Sequence, residues 1–244
     1  MKAYGRELAG VFSATWDGAT PWRILEKMLG ARMTKGGAWL DFACGTGDLL
    51  ARAQEEGFEC AGSDYSRAQL RFARAACPKA KFVQGAMQSV KLPGTFDVIT
   101  CLGDSVHHLQ SRKELLQFFR NVMGHLAPDG VFIFDFNTFI RRLDQDNPYT
   151  GGAFTYRDPG QFVCVEFEYD EDTRISEWIT TGFVKEGKRY RKFEEKHNLR
   201  AHSIEEVEEL LDGLGFCMRK YDCNTRTMRP RKNSVALHFK CWEE

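Results

Sequence analysis

Residues 40–50 read LDFACGTGDLL: a short apolar run broken by an acid, two glycines one residue apart, then the start of a helical pattern. Missing side chains at Gly45 and Gly47 let a strand-to-helix turn come close to a ligand. In an open parallel sheet such turns lie beyond the carboxyl ends of the strands, where ligands bind. Outward from this stretch, the apolar runs GAWLDF, FECAG, KFVQ, FDVITC and VFIFDF recur between residues 37 and 136, separated by segments that repeat at three and four residues. That alternation predicts an α/β architecture in which a parallel sheet is covered on both faces.

Two helix starts are marked by S-x-x-E capping boxes, Ser111 with Glu114 and Ser203 with Glu206, each ahead of an apolar stripe. Residues before 37 form an N-terminal helical cap, with a second helix opening near Thr20-Pro21. Between about 150 and 200 the period changes to two: QFVCVEFEY, TRISEWITTGFV and RYRKFEEKHNLR read as antiparallel strands joined by DEDT and KEGK turns. FCMRKYDC and SVALHFKC then complete the interrupted sheet. The expected organisation is one domain over 1–149 and 200–244, with 1–36 as its cap and 150–199 as an inserted antiparallel β lid.

The 244 residues carry 34 basic and 34 acidic side chains, so no global field draws in nucleic acid or a membrane surface. Eight scattered cysteines without a C-x-x-C pair, and no secretory signal, read as reduced core cysteines of a cytoplasmic protein. No apolar run approaches a membrane span. The basic run TRTMRPRK, 225–232, with Arg226, Arg229, Arg231 and Lys232, reads as a solvated hairpin loop before a phosphate grip, since no aromatics are interleaved for base stacking.

Asp64 ends the second strand 19 residues after Gly45 (64 minus 45), where a carboxylate can accept hydrogen bonds from both hydroxyls of a ribose. A dinucleotide turn needs a third glycine where Leu50 stands, and no GK[ST] marks a phosphate loop. Asp41, just before the turn, would repel a pyrophosphate, yet it could orient backbone amides or water near an ammonium group. A ligand with a ribose, an ammonium and no phosphate is indicated: S-adenosylmethionine.

At DFACGTG the chain resembles the class I S-adenosylmethionine-dependent methyltransferases, whose first motif is an acidic residue followed by G-x-G, and the resemblance covers nearly the whole length. It implies an α/β, Rossmann-like, seven-stranded, mostly parallel sheet with helices on both faces. It also implies a cofactor site made from Asp41, Ala43, Gly45, Gly47, Asp64, Tyr65, Gly85, Ala86, Met87, Cys101 and Leu102. In that site Gly45 and Gly47 approach the methionine portion, Asp64 holds the ribose and Tyr65 lies against the adenine. Where family members often carry G-D-M this chain has GAM at 85–87; Met87 can pack on the adenine, but Ala86 cannot accept its exocyclic amine. The stretch FDVITCLGDSVHHL and the insertion look like small-molecule methyltransferases of the glycine and amino-sugar N-methylating kind. That likeness implies that Tyr4, in AYGRELAGVF, and His108 face the transferred methyl.

Methyl transfer from a sulfonium is an in-line displacement that needs alignment, exclusion of water and a free lone pair on the nucleophile. An amine protonated at neutral pH must first lose a proton, and histidine is the usual base. His108 and its neighbour His107 stand where that base is wanted, and Asp104 either orients the imidazole or caps the turn. Adjacent histidines point differently and no further ligand motif follows, so no metal is expected. Asp135 and Asn137 follow strand five as turn residues or acceptor contacts. Alternation puts Phe193, Glu195, His197 and Leu199 on one face of a strand, and Glu166 with Phe162 and Cys164 on one face of another. The candidate acceptor residues are therefore Asp104, His107, Asn137, Glu166 and His197. Trp16, Trp22 and Arg23 either close over the cofactor or serve ordinary packing. The expected activity is methylation of nitrogen or oxygen on a small polar metabolite. The alternatives are an RNA methyltransferase using the 225–232 loop and a non-catalytic S-adenosylmethionine-binding module.

Overall fold

The computed structural model describes residues 3–15, 19–34, 36–138, 153–157 and 159–243. In chain order the strands are β1 Gly37–Phe42, β2 Phe58–Asp64, β3 Lys81–Gln84, β4 Phe96–Cys101, β5 Leu126–Asn137, β6 Ala153–Arg157, β7 Gln161–Asp170, β8 Ile175–Glu186, β9 Arg189–Arg200, β10 Phe216–Tyr221 and β11 Ala236–Glu243. The helices are α1 Arg6–Thr15, α2 Ala19–Leu29, α3 Asp48–Glu55, α4 Arg67–Ala76, α5 Arg112–Met123 and α6 Ile204–Asp212. Seven strands form one sheet in the order β10-β11-β5-β4-β1-β2-β3, and only β11 runs against the others.

Alternation along the strands divides the core between the two faces. Leu40, Phe42, Ile99, Phe132 and Phe134 meet α5 and α6 through Leu115, Phe118, Phe119, Val207 and Leu211. Trp39, Val98, Val131 and Ile133 meet α2, α3 and α4 through Trp22, Leu25, Leu50, Leu70 and Ala73. Each large apolar side chain buried in this way contributes roughly 1.5–3 kcal/mol, so the two layers hold the sheet from both sides. Trp22 belongs to this packing, stacked on Trp39 at 5.7 Å, while Arg23 is exposed; Trp16 lies outside the described residues.

Both capping serines act as expected, Ser111 accepting from the Glu114 N–H and Ser203 from the Glu206 N–H. The reciprocal half of each box is redirected, because Glu114 accepts from the Gln110 N–H and Glu206 meets the ring of His202.

The insertion is a separate antiparallel sheet of four strands, β6-β7-β8-β9. Its first strand has no counterpart in the sequence reading, because a strand of five residues, Ala153–Arg157, is too short for a two-residue period to show. The boundary expected at 149/150 lies outside the described residues. Val163, Val165 and Phe167 of β7 pack against Leu8 and Val11 of α1, so this sheet carries the N-terminal helix on its inner face. All eight cysteines are free, and five are buried. Among the described residues, no helix is long and apolar enough to cross a membrane.

Candidate active site

The carboxyl ends of β1, β2, β4 and β5 share one rim of the sheet, and a cavity of about 500 Å³ opens there. After β1 the chain enters left-handed conformations at Ala43 (φ 55°), Gly45 (φ 54°) and Gly47 (φ 83°), then winds into α3. The turn is tied to β2, with the Gly45 N–H donating to Asp64 Oδ2 (3.0 Å) and the Ser66 N–H to Asp64 Oδ1 (2.7 Å). One carboxylate thus joins the glycine turn to the start of α4, where Ser66 is the N-cap. Burial pushes Asp64 up to about 6 against these two hydrogen bonds.

Asp41 accepts the Thr100 hydroxyl at 2.6 Å, and Thr100 in turn accepts the Trp39 indole N–H at 3.0 Å. This side-chain chain holds the Asp41 carboxyl at the cavity wall, and burial raises it to about 7.

The loop after β4 is shaped by Asp135, which accepts the N–H groups of Gly103 (2.9 Å) and Asp104 (3.1 Å). These bonds hold Asp104 at φ 60°, a conformation aspartate tolerates better than most side chains. The 3-10 turn Ser105–His108 that follows sends its two histidines in different directions. His107 is fully buried; its Nε2 accepts the Asn137 N–H (3.1 Å), so the proton is on Nδ1, which donates to the Arg200 carbonyl (2.8 Å). His108 faces the cavity, with Nε2 2.9 Å from the Tyr4 hydroxyl. The Tyr4 ring rests on His197 (4.3 Å) and Phe12 (5.3 Å). Desolvation drives the Tyr4 hydroxyl far above its ordinary value, reinforced by the negative charges of Asp64, Asp104 and Glu195, so it stays protonated.

The cavity brings together Tyr4, Asp41, Ala43, Gly45, Asp64, Tyr65, Gly85, Met87, Leu102, Asp104, His108 and Asn137. Val163, Val165, Trp178, Thr180 and Leu199 of the inserted sheet form another part of its wall. Five aspartates line it (Asp41, Asp48, Asp64, Asp104 and Asp135), and among the described residues no lysine or arginine does.

Other expected positions are corrected. Gly47 does not line the cavity; a Cβ there would stand 2.8 Å from Ala73 Cα, so its missing side chain lets α4 pack against the turn. Cys101 points into the apolar core, and Ala86 instead turns the chain by accepting the N–H groups of Ser89 and Val90. His107 pins the loop to the core and does not line the cavity. Glu166 is exposed, because the inner face of β7 carries Val163, Val165 and Phe167. His197 is on the inner face, as the alternation implied, but it stands behind Tyr4, outside the cavity lining.

Three residues at the site went unassigned in the sequence. His238 lines the cavity on β11, opposite Asp135 in register, and burial lowers its imidazole to about 4. Gln69 is 2% exposed, and its Oε1 has no hydrogen-bond partner. Trp178 enters from the second sheet. Strand order puts His238 there, docking of the second sheet Trp178, and the course of α4 Gln69, and no local motif announces them.

Comparison with known proteins matches residues 40–130 to the methyltransferase domain family. YqeM of Bacillus subtilis (strain 168), provisionally named a methyltransferase, is 27% identical over 225 residues, covering 90% of each chain. The glycine/sarcosine N-methyltransferase of Halorhodospira halochloris is 29% identical over 181 residues, 69% of this chain and 66% of that one. The dTDP-4-amino-2,3,4,6-tetradeoxy-D-glucose N,N-dimethyltransferase of Saccharopolyspora spinosa is 32% identical over 109 residues, 45% of this chain and 44% of that one. The crystal structure of an S-adenosylmethionine-dependent methyltransferase from Clostridium acetobutylicum ATCC 824 has the same fold, with a TM-score of 0.83 over 97% of this chain and 98% of that one at 24% identity.

Proposed function

The chain carries a methyltransferase domain, and from that premise we propose that it methylates an amine nitrogen of a small molecule with S-adenosylmethionine as methyl donor. The observation that carries the choice of nitrogen is the Tyr4–His108 pair, a hydroxyl and an imidazole 2.9 Å apart on the cavity wall.

The residues present fit the cofactor. Gln69 Oε1 is a buried acceptor without a partner, facing the turn from a position 4.0 Å from where a Cβ on Gly45 would be, and it suits an ammonium or hydroxyl donor. Asp64 keeps lone pairs for a ribose beyond its two backbone bonds. Tyr65, 40% exposed, and buried Met87 offer apolar surface to a base. Bound there, S-adenosylmethionine supplies a methyl group activated by positive charge, which an aspartate-lined cavity favours.

The chain's own part is to align and to manage a proton. His108 takes the proton that a nitrogen nucleophile must lose, and Tyr4, kept protonated, steadies the imidazole. The wall from the inserted sheet excludes water and shapes the acceptor's space. The cofactor already brings one carboxylate to a cavity with five aspartates and, among the described lining residues, no lysine or arginine, so a free amino acid would add a second. An amine on an otherwise uncharged body suits the cavity better.

Incubation with methyl-labelled S-adenosylmethionine and a panel containing glycine, sarcosine and amino sugars tests this reading by mass spectrometry. Label on an amino-sugar nitrogen is the expected result. Label on oxygen, or no binding of the cofactor, overturns it.

A further inference from the structure

Residues 3–5 precede α1 without regular structure, yet they carry Tyr4, so something outside the segment must place them. The Ser66 hydroxyl donates to the Tyr4 carbonyl at 2.6 Å, beside the carboxylate of Asp64. From the opposite side, the Gly5 N–H donates to Glu195 Oε2 at 2.9 Å. Glu195 lies on the inner face of β9 and is 8% exposed; the same oxygen is 3.2 Å from His197 Nε2, and His197 supports the Tyr4 ring at 4.3 Å. A carboxylate withdrawn from water is costly unless hydrogen-bonded. The strap supplies one of the bonds that offset this cost.

Contact between the strap and this carboxylate is close, so a larger residue at position 5 would push the Glu195 side chain aside. A Cβ on Gly5 would stand 2.5 Å from Glu195 Oε1. Beneath the strap, Leu8 and Val11 rest on Val163, Val165 and Phe167 of the same sheet, and Arg191 of β9 reaches Glu7 at 3.0 Å. The inserted sheet therefore holds the strap and α1 together, in addition to walling the cavity.

We propose that Glu195 is a positioning residue that sets the Tyr4–His108 contact, so that the inserted sheet governs proton transfer as well as the space for the acceptor. The proposal rests on the reading of Tyr4 and His108 as the proton-handling pair. Glu195 itself does not line the cavity, and its effect passes through Gly5 and His197. The arrangement couples three parts of the molecule: the cofactor side through Ser66, the first sheet through His108, and the inserted sheet through Glu195.

The test uses full-length protein with isotopically labelled histidine, read by imidazole NMR and by amide exchange, with S-adenosylhomocysteine affinity measured alongside. Tyr4→Phe should displace the His108 Nε2 resonance. Glu195→Ala should reproduce that displacement and speed amide exchange in residues 3–8 by about tenfold or more. Glu195→Gln retains an oxygen for the Gly5 N–H and should restore both signals. A Glu195→Ala protein with the wild-type His108 resonance and exchange overturns the proposal. Should that variant fail to fold, Gly5→Ala crowds the same carboxylate from the strap side, and an undisplaced His108 resonance there overturns it equally. Failure of the wild-type protein to bind S-adenosylhomocysteine would remove the catalytic reading, and with it Glu195's part in the reaction, whereas the NMR comparison separately decides whether Glu195 sets the contact.

Discussion

The Tyr4 hydroxyl and His108 Nε2 meet at 2.9 Å across 104 positions of sequence, one ahead of the first helix and the other in the turn after β4. If this pair handles the acceptor's proton, the rate at saturating amine should rise with pH as an imidazole loses its proton. His108→Asn should remove that rise and lower the rate about 10²–10⁴-fold. Tyr4→Phe should leave the profile in place at a reduced rate, and the double variant should lose less than the two single losses combined. An unchanged pH–rate profile in His108→Asn would make alignment and desolvation the whole of the catalysis.

Asp64 has two duties, one toward the ligand and one toward the turn. Replacement by Ala removes the Gly45 and Ser66 hydrogen bonds, each worth roughly 1–3 kcal/mol when a charged group or a buried donor is involved. We expect the variant to lose both cofactor affinity and thermal stability, measured by calorimetry and by melting. Asp64→Asn keeps one oxygen acceptor and should fall between. Loss of affinity with wild-type stability would mean that the backbone bonds contribute little.

Cofactor binding should be linked to proton release. Burial raises Asp64 to about 6 and Asp41 to about 7, both above the usual 3.8. In the window from about 4 to those values the folded state binds protons that the unfolded state lacks, so the stability these groups contribute is present at low pH and declines as pH rises through 6 and 7. A cationic ligand favours the ionised carboxylates. Affinity for S-adenosylmethionine should therefore increase with pH between about 5 and 7, by up to about tenfold per unit for each proton released. Titrations in buffers of different ionisation enthalpy count those protons, and a count of zero would exclude the linkage.

His107 should act on stability and not on acceptor recognition. His107→Ala leaves the Asn137 N–H and the Arg200 carbonyl without their partner and opens a void, which should cost about 2–5 kcal/mol in denaturant unfolding. A variant with native stability and a selectively raised KM for the acceptor would return His107 to the binding surface.

The exposed cations Arg226, Arg229, Arg231 and Lys232 occupy the β10–β11 loop, built around Asp222 through its bonds with Asn224 and Ser234. Replacing all four with alanine should leave cofactor affinity and small-molecule turnover within about twofold, and salt should weaken neither steeply. Activity on RNA that falls with salt and disappears in this variant would favour a nucleic-acid acceptor.

Much of the fold was legible because it depends on short-range patterns. Apolar runs alternating with helical periods placed the five parallel strands, capping serines placed α5 and α6, and the change of period marked the insertion. Among the described strands, only β6 escaped, being too short for a period to show. The glycine turn and Asp64 were legible for the same reason, since a left-handed backbone and a strand-end carboxylate leave local traces.

What the local pattern could not carry was the direction of side chains relative to distant elements. Period two showed that Glu166 shares a face with Cys164, but the docking of α1 on Val163 and Val165 decided that this face is the outer one. Adjacent His107 and His108 are alike as letters; a single 3-10 turn sends one to the Arg200 carbonyl and the other to Tyr4. Gly47 read as room for a ligand, and the approach of Ala73 made it room for a helix. Sequence by itself determined the sheet, the turn and the chemical types available at its rim, because backbone propensity and burial period act over a few residues. Tertiary structure alone decided which of those groups face one another, because contacts such as Gly5 with Glu195 span 190 residues and exist only once two sheets and a strap have packed.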